Sequence, residues 1–273
     1  MNAQAALTLG RDAPEQRPGW QRGRFHNDWL QARFSLNFGA WRAPGREAFG
    51  PLRVLNDDRV QPRRGFPMHP HRDVDILMIP LTAPIEHRDD RGGHAVVHPG
   101  QIQWMRAGSG IAHAQTNACA SAVDRHLQLW FEPRRVGAAP VVRQHTLPAL
   151  RLGQWQPLHG PALDDAAGPG FEPDADVRVS LGWSAPGQPL SLPAAQGRLL
   201  HAVRGRGHAQ RPGGQSHALE AGDEVVWFDE APALRVGSLS VAVWLVVDTA
   251  PVDPVSGRLR PSRPREWRLA GDR

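Results

Sequence analysis

The chain has 273 residues, 40% of them hydrophobic, a formal charge of +5 and one cysteine, Cys119. That length can bury a substantial core and suits two domains better than one, while a lone cysteine excludes an intramolecular disulfide framework. There is no lysine, so all 32 basic residues are arginine; with 28 glycines and 26 prolines this reads as the bias of a GC-rich genome, not as a nucleic-acid footprint. No direct nucleic-acid partner is expected. Neither a twenty-residue apolar run nor a signal-peptide start is present, so the sequence predicts no membrane association and a cytoplasmic location.

Taken in chain order, the start is irregular and rich in arginine. From Trp29 to Trp41 the residues Leu30, Ala32, Phe34, Leu36 and Phe38 occupy every second position, which predicts a strand. A further apolar stretch, Phe49 to Asn56, leads through Asp57-Asp58 to Gly65-Phe66-Pro67. Short strands and turns then alternate: Val74 to Ile79, the turn Thr82-Ala83-Pro84, Ile85 to Arg88, the turn Asp89 to Gly93, His94 to His98, Pro99-Gly100, Gln101 to Met105 and Gly108-Ser109-Gly110. Such a meander folds into an antiparallel barrel. Leu127 to Phe131 closes the first domain, and Glu132-Pro133-Arg134-Arg135 begins a connection. The expected organisation is a first domain over 1–135, a linker over 136–154, a second domain over 155–249 and an Arg/Pro-rich tail over 250–273.

Two short motifs carry chemistry. On a strand, residues i and i+2 share a face, so His69-Pro70-His71 and His113-Ala114-Gln115 each project two side chains into one space. Two such strands side by side offer three imidazoles and one amide oxygen to a single metal ion, which makes His69, His71, His113 and Gln115 the candidate ligands.

The second half repeats the first in outline. His87, Gly92-Gly93 and Pro99-Gly100 correspond to His208, Gly213-Gly214 and Ala221-Gly222. The same offset carries His69 and His71 onto Leu190 and Leu192, and His113 and Gln115 to the vicinity of Leu234 and Val236. The second barrel is therefore expected to be a packed copy whose metal position is filled by aliphatic side chains.

The runs Gly65-Phe66-Pro67-Met68-His69-Pro70-His71-Arg72, Glu86-His87-Arg88-Asp89 and Gly100 to His113 resemble the pirin family of bicupins, including bacterial pirin-like proteins described as quercetin 2,3-dioxygenases. The resemblance covers most of residues 35 to 133. It implies an all-β chain of two cupin barrels, a mononuclear iron site in the N-terminal barrel, and either flavonol oxygenation or a redox-sensing role with a protein partner such as a transcription factor. Three histidine ligands and one glutamate are implied for the family, placed here at His69, His71, His113 and position 115, where this chain has glutamine. The implied cofactor is one divalent ion, Fe(II) foremost with other transition metals possible, and the implied substrate is flavonol-like (quercetin) or another small aromatic molecule.

An amide cannot act as a base at neutral pH, so a base for an acidic substrate hydroxyl must come from elsewhere. His94, His98 and Glu86 are in the same barrel sequence, with surface or loop positions as the plainer reading, and His87 and His126 carry the same caution. Asp75 is a candidate outer partner for a liganding histidine, or an exposed strand carboxylate. Trp104 and Trp130 are candidates to line an aromatic pocket, or to sit in the core. Cys119 reads as a small buried hydrophobe.

Overall fold

A computed structural model describes residues 14–159, 175, 177–228 and 231–249. The expected tail, 250–273, lies outside the described residues. In chain order the strands are β1 (Glu15–Arg17), β2 (Gly23–His26), β3 (Leu30–Phe34), β4 (Leu52–Val60), β5 (Gly65–His71), β6 (Asp75–Pro80), β7 (Ile85–Asp89), β8 (His94–Val97), β9 (Gln101–Arg106), β10 (Ile111–Asn117), β11 (Asp124–Phe131) and β12 (Val141–Thr146). They continue with β13 (Gln154–His159), β14 (Val177–Ser184), β15 (Leu190–Leu192), β16 (Gly197–Arg204), β17 (Arg206–Gln210), β18 (Ser216–Glu220), β19 (Glu224–Trp227), β20 (Leu234–Ser238) and β21 (Ala242–Thr249). Apart from one 3-10 turn at Gly19–Gln21, no helix occurs among the described residues, and none is long and apolar enough to cross a membrane.

The chain forms two compact units. In the first, a four-stranded sheet runs β5-β10-β7-β8 and a seven-stranded sheet runs β12-β9-β6-β11-β4-β3-β2. Met78 of β6, Ile85 of β7 and Val97 of β8 form one buried cluster, which ties the two sheets together through their inner faces. A second cluster, Val74, Ile76, Met105, Ala107 and Ile111, does the same at β6, β9 and β10. β11 lies between β4 and β6, is covered on both faces, and buries Leu127, Leu129 and Phe131 completely. This explains why its apolar signal is strong.

The other unit has the same plan. A four-stranded sheet runs β15-β20-β17-β18 and a six-stranded sheet runs β1-β19-β16-β21-β14-β13. The orders β5-β10-β7-β8 and β15-β20-β17-β18 match strand for strand, as do β9-β6-β11-β4 and β19-β16-β21-β14, so the internal repeat seen in the sequence is a repeat of architecture. Two cupin barrels in one all-β chain account for both halves. The register refines the correspondence: His69 pairs with His113 in the first barrel, and Leu190 pairs with Val236 in the second. His113 therefore answers to Val236, two residues beyond Leu234, and an even shift leaves the inward face unchanged. Leu190, Leu192, Leu234 and Val236 are all buried in the second barrel's core with Trp227 and Trp244.

Three local features differ from the sequence reading. The strand expected from Trp29 to Trp41 ends at Phe34, because Asn37 turns the chain: its backbone N–H donates to Arg46 and its side-chain oxygen accepts from Ala43. Glu15–Arg17, a segment with no apolar alternation, is a strand because it completes the edge of β19 in the second unit's sheet. Within the stretch expected as linker, Val141–Thr146 pairs with β9 as strand β12.

If the second barrel is held by this aliphatic plug, Leu190→Ala removes a fully buried side chain from its centre. Chemical denaturation should show a loss of about 2–5 kcal/mol, whereas a loss under about 1 kcal/mol would mean that the site collapses freely.

Candidate metal centre

β5 and β10 run antiparallel, with His69 opposite His113 and His71 opposite Ile111. Because side chains alternate across a strand, His69, His71 and His113 fall on one face. Their ring centroids are 4.6 to 4.9 Å apart, and each offers one nitrogen such that all three lie within 4.8 Å of one another. His71 and His113 are buried and His69 is half-buried. The ladder is irregular just beyond, where Gln115 pairs with Phe66. This bulge accommodates Pro67, which has no N–H to give to the ladder. Gly65 is required at its edge, since a Cβ there would lie 2.1 Å from the Gln115 carbonyl oxygen.

Hydrogen bonds fix which nitrogen two of the three rings present. His69 Nδ1 lies 2.7 Å from the Pro67 carbonyl oxygen and donates to it, which leaves Nε2 with its lone pair. His113 Nδ1 faces His87 Nδ1 at 3.4 Å, and His87 Nε2 lies 3.2 Å from Asp89 Oδ2. A neutral His87 satisfies both contacts by donating from Nε2 to Asp89 and accepting at Nδ1 from His113, so that His113 also presents Nε2. Asp89 is itself fixed by the backbone N–H groups of Arg91 and Gly93, each at 2.9 Å. His71 Nε2 is buried and has no hydrogen-bond partner. A buried imidazole nitrogen left unpartnered in this way is costly unless something fills it, and three converging imidazole nitrogens fit a metal ion.

Burial sets the charge state. It lowers the pKa of His69 despite the Pro67 carbonyl, and burial together with the charge of His69 takes His71 down to about 3. Burial, reinforced by His71, His69 and His87, holds His113 well below the ordinary histidine value. His87 is also lowered by burial, against the pull of Asp89. Asp89 stays below the usual carboxylate range: burial pushes it up, but the hydrogen bonds from Gly93, Arg91 and His87 outweigh that. At neutral pH the three imidazoles are therefore unprotonated, and no proton competes for their lone pairs.

Gln115 lines the same cavity, of about 270 Å³, as the three histidines. Its side-chain oxygen accepts from Gln128 Nε2, and its own Nε2 donates to Met78 Sδ at 3.3 Å. Trp130 Nε1 donates to Gln128 Oε1 at 3.2 Å, so an ordered amide chain runs from Trp130 to Gln115. Phe34, Phe38, Phe66 and Trp130 give the cavity an aromatic wall, with Trp130 edge-on to His71 at 4.9 Å. Asn56, Asp58 and Gln128 add polar groups to the lining.

The other candidates separate cleanly. Trp130 lines the cavity, while Trp104 is core: its indole N–H donates to the Leu158 carbonyl and its ring lies 5.7 Å from Phe131. Asp75 is fully buried 3.8 Å from Arg106, and the contact to a liganding histidine expected of it is made instead by His87, backed by Asp89. His94 pairs with Glu86, which also holds Arg88, on the exposed part of β7 and β8, and His98 is exposed. None of these lines the cavity. Cys119 is not buried: it sits half-exposed in a turn, its N–H donating to Asn117. His126 is buried between Asp124 and Asp58. Sequence reasoning passed over Asn56, Asp58 and Gln128, although Val54, Asn56 and Asp58 alternate on one strand and His126, Gln128 and Trp130 on the next.

A family model described as Pirin matches residues 20–131. A Pasteurella multocida protein named "Putative quercetin 2,3-dioxygenase" is 42% identical over 127 residues, 45% of this chain and 54% of its own length; the chain thus spans about half of that relative. A Pseudomonas aeruginosa protein of the same name is 33% identical over 238 residues, covering 86% of this chain and 99% of its own. Among solved structures, the bacterial pirin YhhW from Escherichia coli in complex with nickel(II) superposes with a TM-score of 0.77 at 26% identity, covering 88% of this chain and 100% of its own.

The depressed histidines give a pH signature. His71 protonates near 6.5 when unfolded but only near 3 when folded, so between those values the unfolded chain binds the extra proton and stability falls as pH falls. In chelator-treated protein, denaturation at a series of pH values should show this loss, approaching about 1.4 kcal/mol per pH unit for one such group. His71→Leu should flatten the slope; an unchanged slope would mean that His71 titrates normally.

Proposed function

The chain is a member of the pirin family, and from that premise we propose that it is a mononuclear metalloprotein that oxidises a small aromatic substrate with dioxygen, flavonol-like compounds being the leading class. The observation that carries this reading is the meeting of three neutral imidazoles, with one buried nitrogen unpartnered, beside a cavity walled by aromatic rings. The proposed ligands are His69, His71 and His113, with the Gln115 oxygen as a neutral fourth neighbour. Fe(II) is the proposed ion, and other borderline divalent metals suit the same nitrogen-rich set. Support comes from the relatives' names and from the nickel(II) bound by YhhW.

A divalent transition metal, when bound, supplies redox and Lewis-acid chemistry. The protein's own part is positional. His87 and Asp89 keep His113 in one tautomer and one orientation, as an outer hydrogen-bond partner does for a liganding imidazole. Trp130, Phe38 and Phe66 offer ring faces and edges to a flat aromatic molecule and keep water from its surroundings. A cavity of about 270 Å³ lies near the lower end of ligand pockets, roughly 300–1,000 Å³, which favours a compact substrate. Gln115 leaves the ion with its full double charge, where glutamate would reduce it by one.

Metal analysis of protein purified without a histidine tag should find close to one ion per chain, lost in a His69→Ala/His71→Ala double variant. Gln115→Glu should tighten divalent-metal binding by roughly tenfold or more, since one added negative charge at contact distance outweighs its partial desolvation. Oxygen uptake with quercetin by the Fe(II)-loaded protein tests the activity. Wild type with one bound ion and no uptake with any flavonol would sink the substrate class and keep the metal site; wild type that binds no ion would sink both.

A further inference from the structure

The cavity contains a carboxyl group that the metal centre does not use. Asp58 of β4 lines it, yet its side chain is only 5% exposed. Its Oδ1 is buried with no hydrogen-bond partner. Its Oδ2 faces His126 Nε2 at 3.8 Å, beyond hydrogen-bond distance. On the far side of that ring, His126 Nδ1 bonds Asp124 Oδ2 at 2.5 Å. β4 and β11 make this arrangement by register: Asp58 lies opposite His126 and Asn56 opposite Gln128, so the alternation that turns Gln128 and Trp130 into the cavity turns His126 towards Asp58.

A buried carboxyl with an empty oxygen costs stability comparable to a lost hydrogen bond or more, and such a group facing a ligand cavity is a candidate for function. Asp58 is also the one carboxyl among the cavity-lining residues. The other titratable groups there are the three histidines already assigned to the metal, and Gln115 cannot accept a proton. Resting on the aromatic-substrate reading above, we propose that Asp58 is the proton acceptor of this cavity, taking the proton of an acidic aromatic hydroxyl that binds there. The O–H bond of the substrate breaks, the proton goes to the Asp58 carboxylate, and the electron pair stays on the aromatic oxygen. No redox change accompanies the step.

The surroundings suit the role. Burial raises the Asp58 pKa to about 7; His126 opposes this, Asp57 and Asp124 add to it, and Arg22 opposes it. Asp57 on the same strand is engaged with Arg125. Arg33 of β3 senses Asp57 and Arg59. A base whose pKa lies near the working pH combines an adequate ionised fraction with adequate basicity. His126, whose own pKa is raised against burial by Asp124, is a positioning residue: it faces one oxygen of Asp58.

The test uses 3-hydroxyflavone, which carries a single hydroxyl, with the nickel(II)-loaded full chain under argon, so that no turnover occurs. Absorbance reports whether the bound ligand is ionised, and calorimetry in buffers of different ionisation heat counts the protons released. At pH 8, wild type should bind the ionised ligand and release no proton, because the new anion beside Asp58 raises its affinity for the proton and it holds that proton against the buffer. Asp58→Asn should either lose the ionised band by about tenfold, a conservative share of what a general base contributes, or release one proton per ligand. Wild type that already releases one proton, or a variant identical to it in band and proton count, overturns the proposal. Absence of any binding to wild type overturns the aromatic-substrate reading and the role of Asp58 with it. Should Asp58→Asn fail to fold, wild type alone serves: at pH 5.5, where Asp58 with its pKa of about 7 is already protonated, binding must either lose the ionised band or release one proton per ligand, and a band and proton count unchanged from pH 8 overturn the assignment.

Discussion

The pairing of β5 with β10 is the constraint from which the rest of the first barrel's chemistry follows. Antiparallel register puts His69 opposite His113, and strand alternation puts His71 and Gln115 on the same face. Had the strands slipped by one residue, every one of these side chains would have turned outward. Register is held at one end by a bulge at Pro67, for which Gly65 leaves room against the Gln115 backbone. Burial of the inward face then does the electrostatic part. A low-dielectric surrounding disfavours imidazolium, so the same packing that fixes the rings keeps their lone pairs free.

The two barrels show what the fold requires and what the site adds. With the same strand order in each, the positions of His69 and His113 are taken in the second barrel by Leu190 and Val236, which pack against Trp227 and Trp244. An aliphatic pair there gains burial without cost. Three imidazoles in the same place gain little as packing and leave at least one buried nitrogen unbonded. Two of the cavity-lining residues, His71 and Asp58, each bury a polar atom without a hydrogen-bond partner.

Much of this was legible in the sequence, for reasons that are themselves physical. The histidine cluster was readable because residues at i and i+2 share one face of a strand, and the barrel was readable because Gly/Pro turns punctuate its strands. The aliphatic plug of the second barrel followed from the repeat, with a two-residue slip that alternation tolerates. What stayed hidden depends on who stands across a ladder. Glu15–Arg17 has no apolar pattern of its own and is a strand only because β19 has a free edge. Asp89 looks like a turn residue until His87 is seen between it and His113. Trp104 and Trp130 are indistinguishable by type, yet only the second faces the cavity.

Glutamine at position 115 changes the division of labour within the cavity. A carboxylate beside an ion can both lower the charge of the centre and take a proton; an amide does neither. Here the amide is instead locked between Gln128 and Met78, and Gln128 is in turn held by Trp130, so position 115 contributes rigidity and an oxygen lone pair. The cavity's one carboxyl is on Asp58, in front of the buried His126–Asp124 pair. Because unlike charges attract most strongly at contact and weaken with distance, on the proposed reading a carboxyl held away from the ion would leave the centre more positive and the carboxyl more basic. A more positive centre binds an ionised hydroxyl more tightly, and a more basic carboxyl receives its proton more readily. For the substrate class proposed above, the two shifts would act in the same direction.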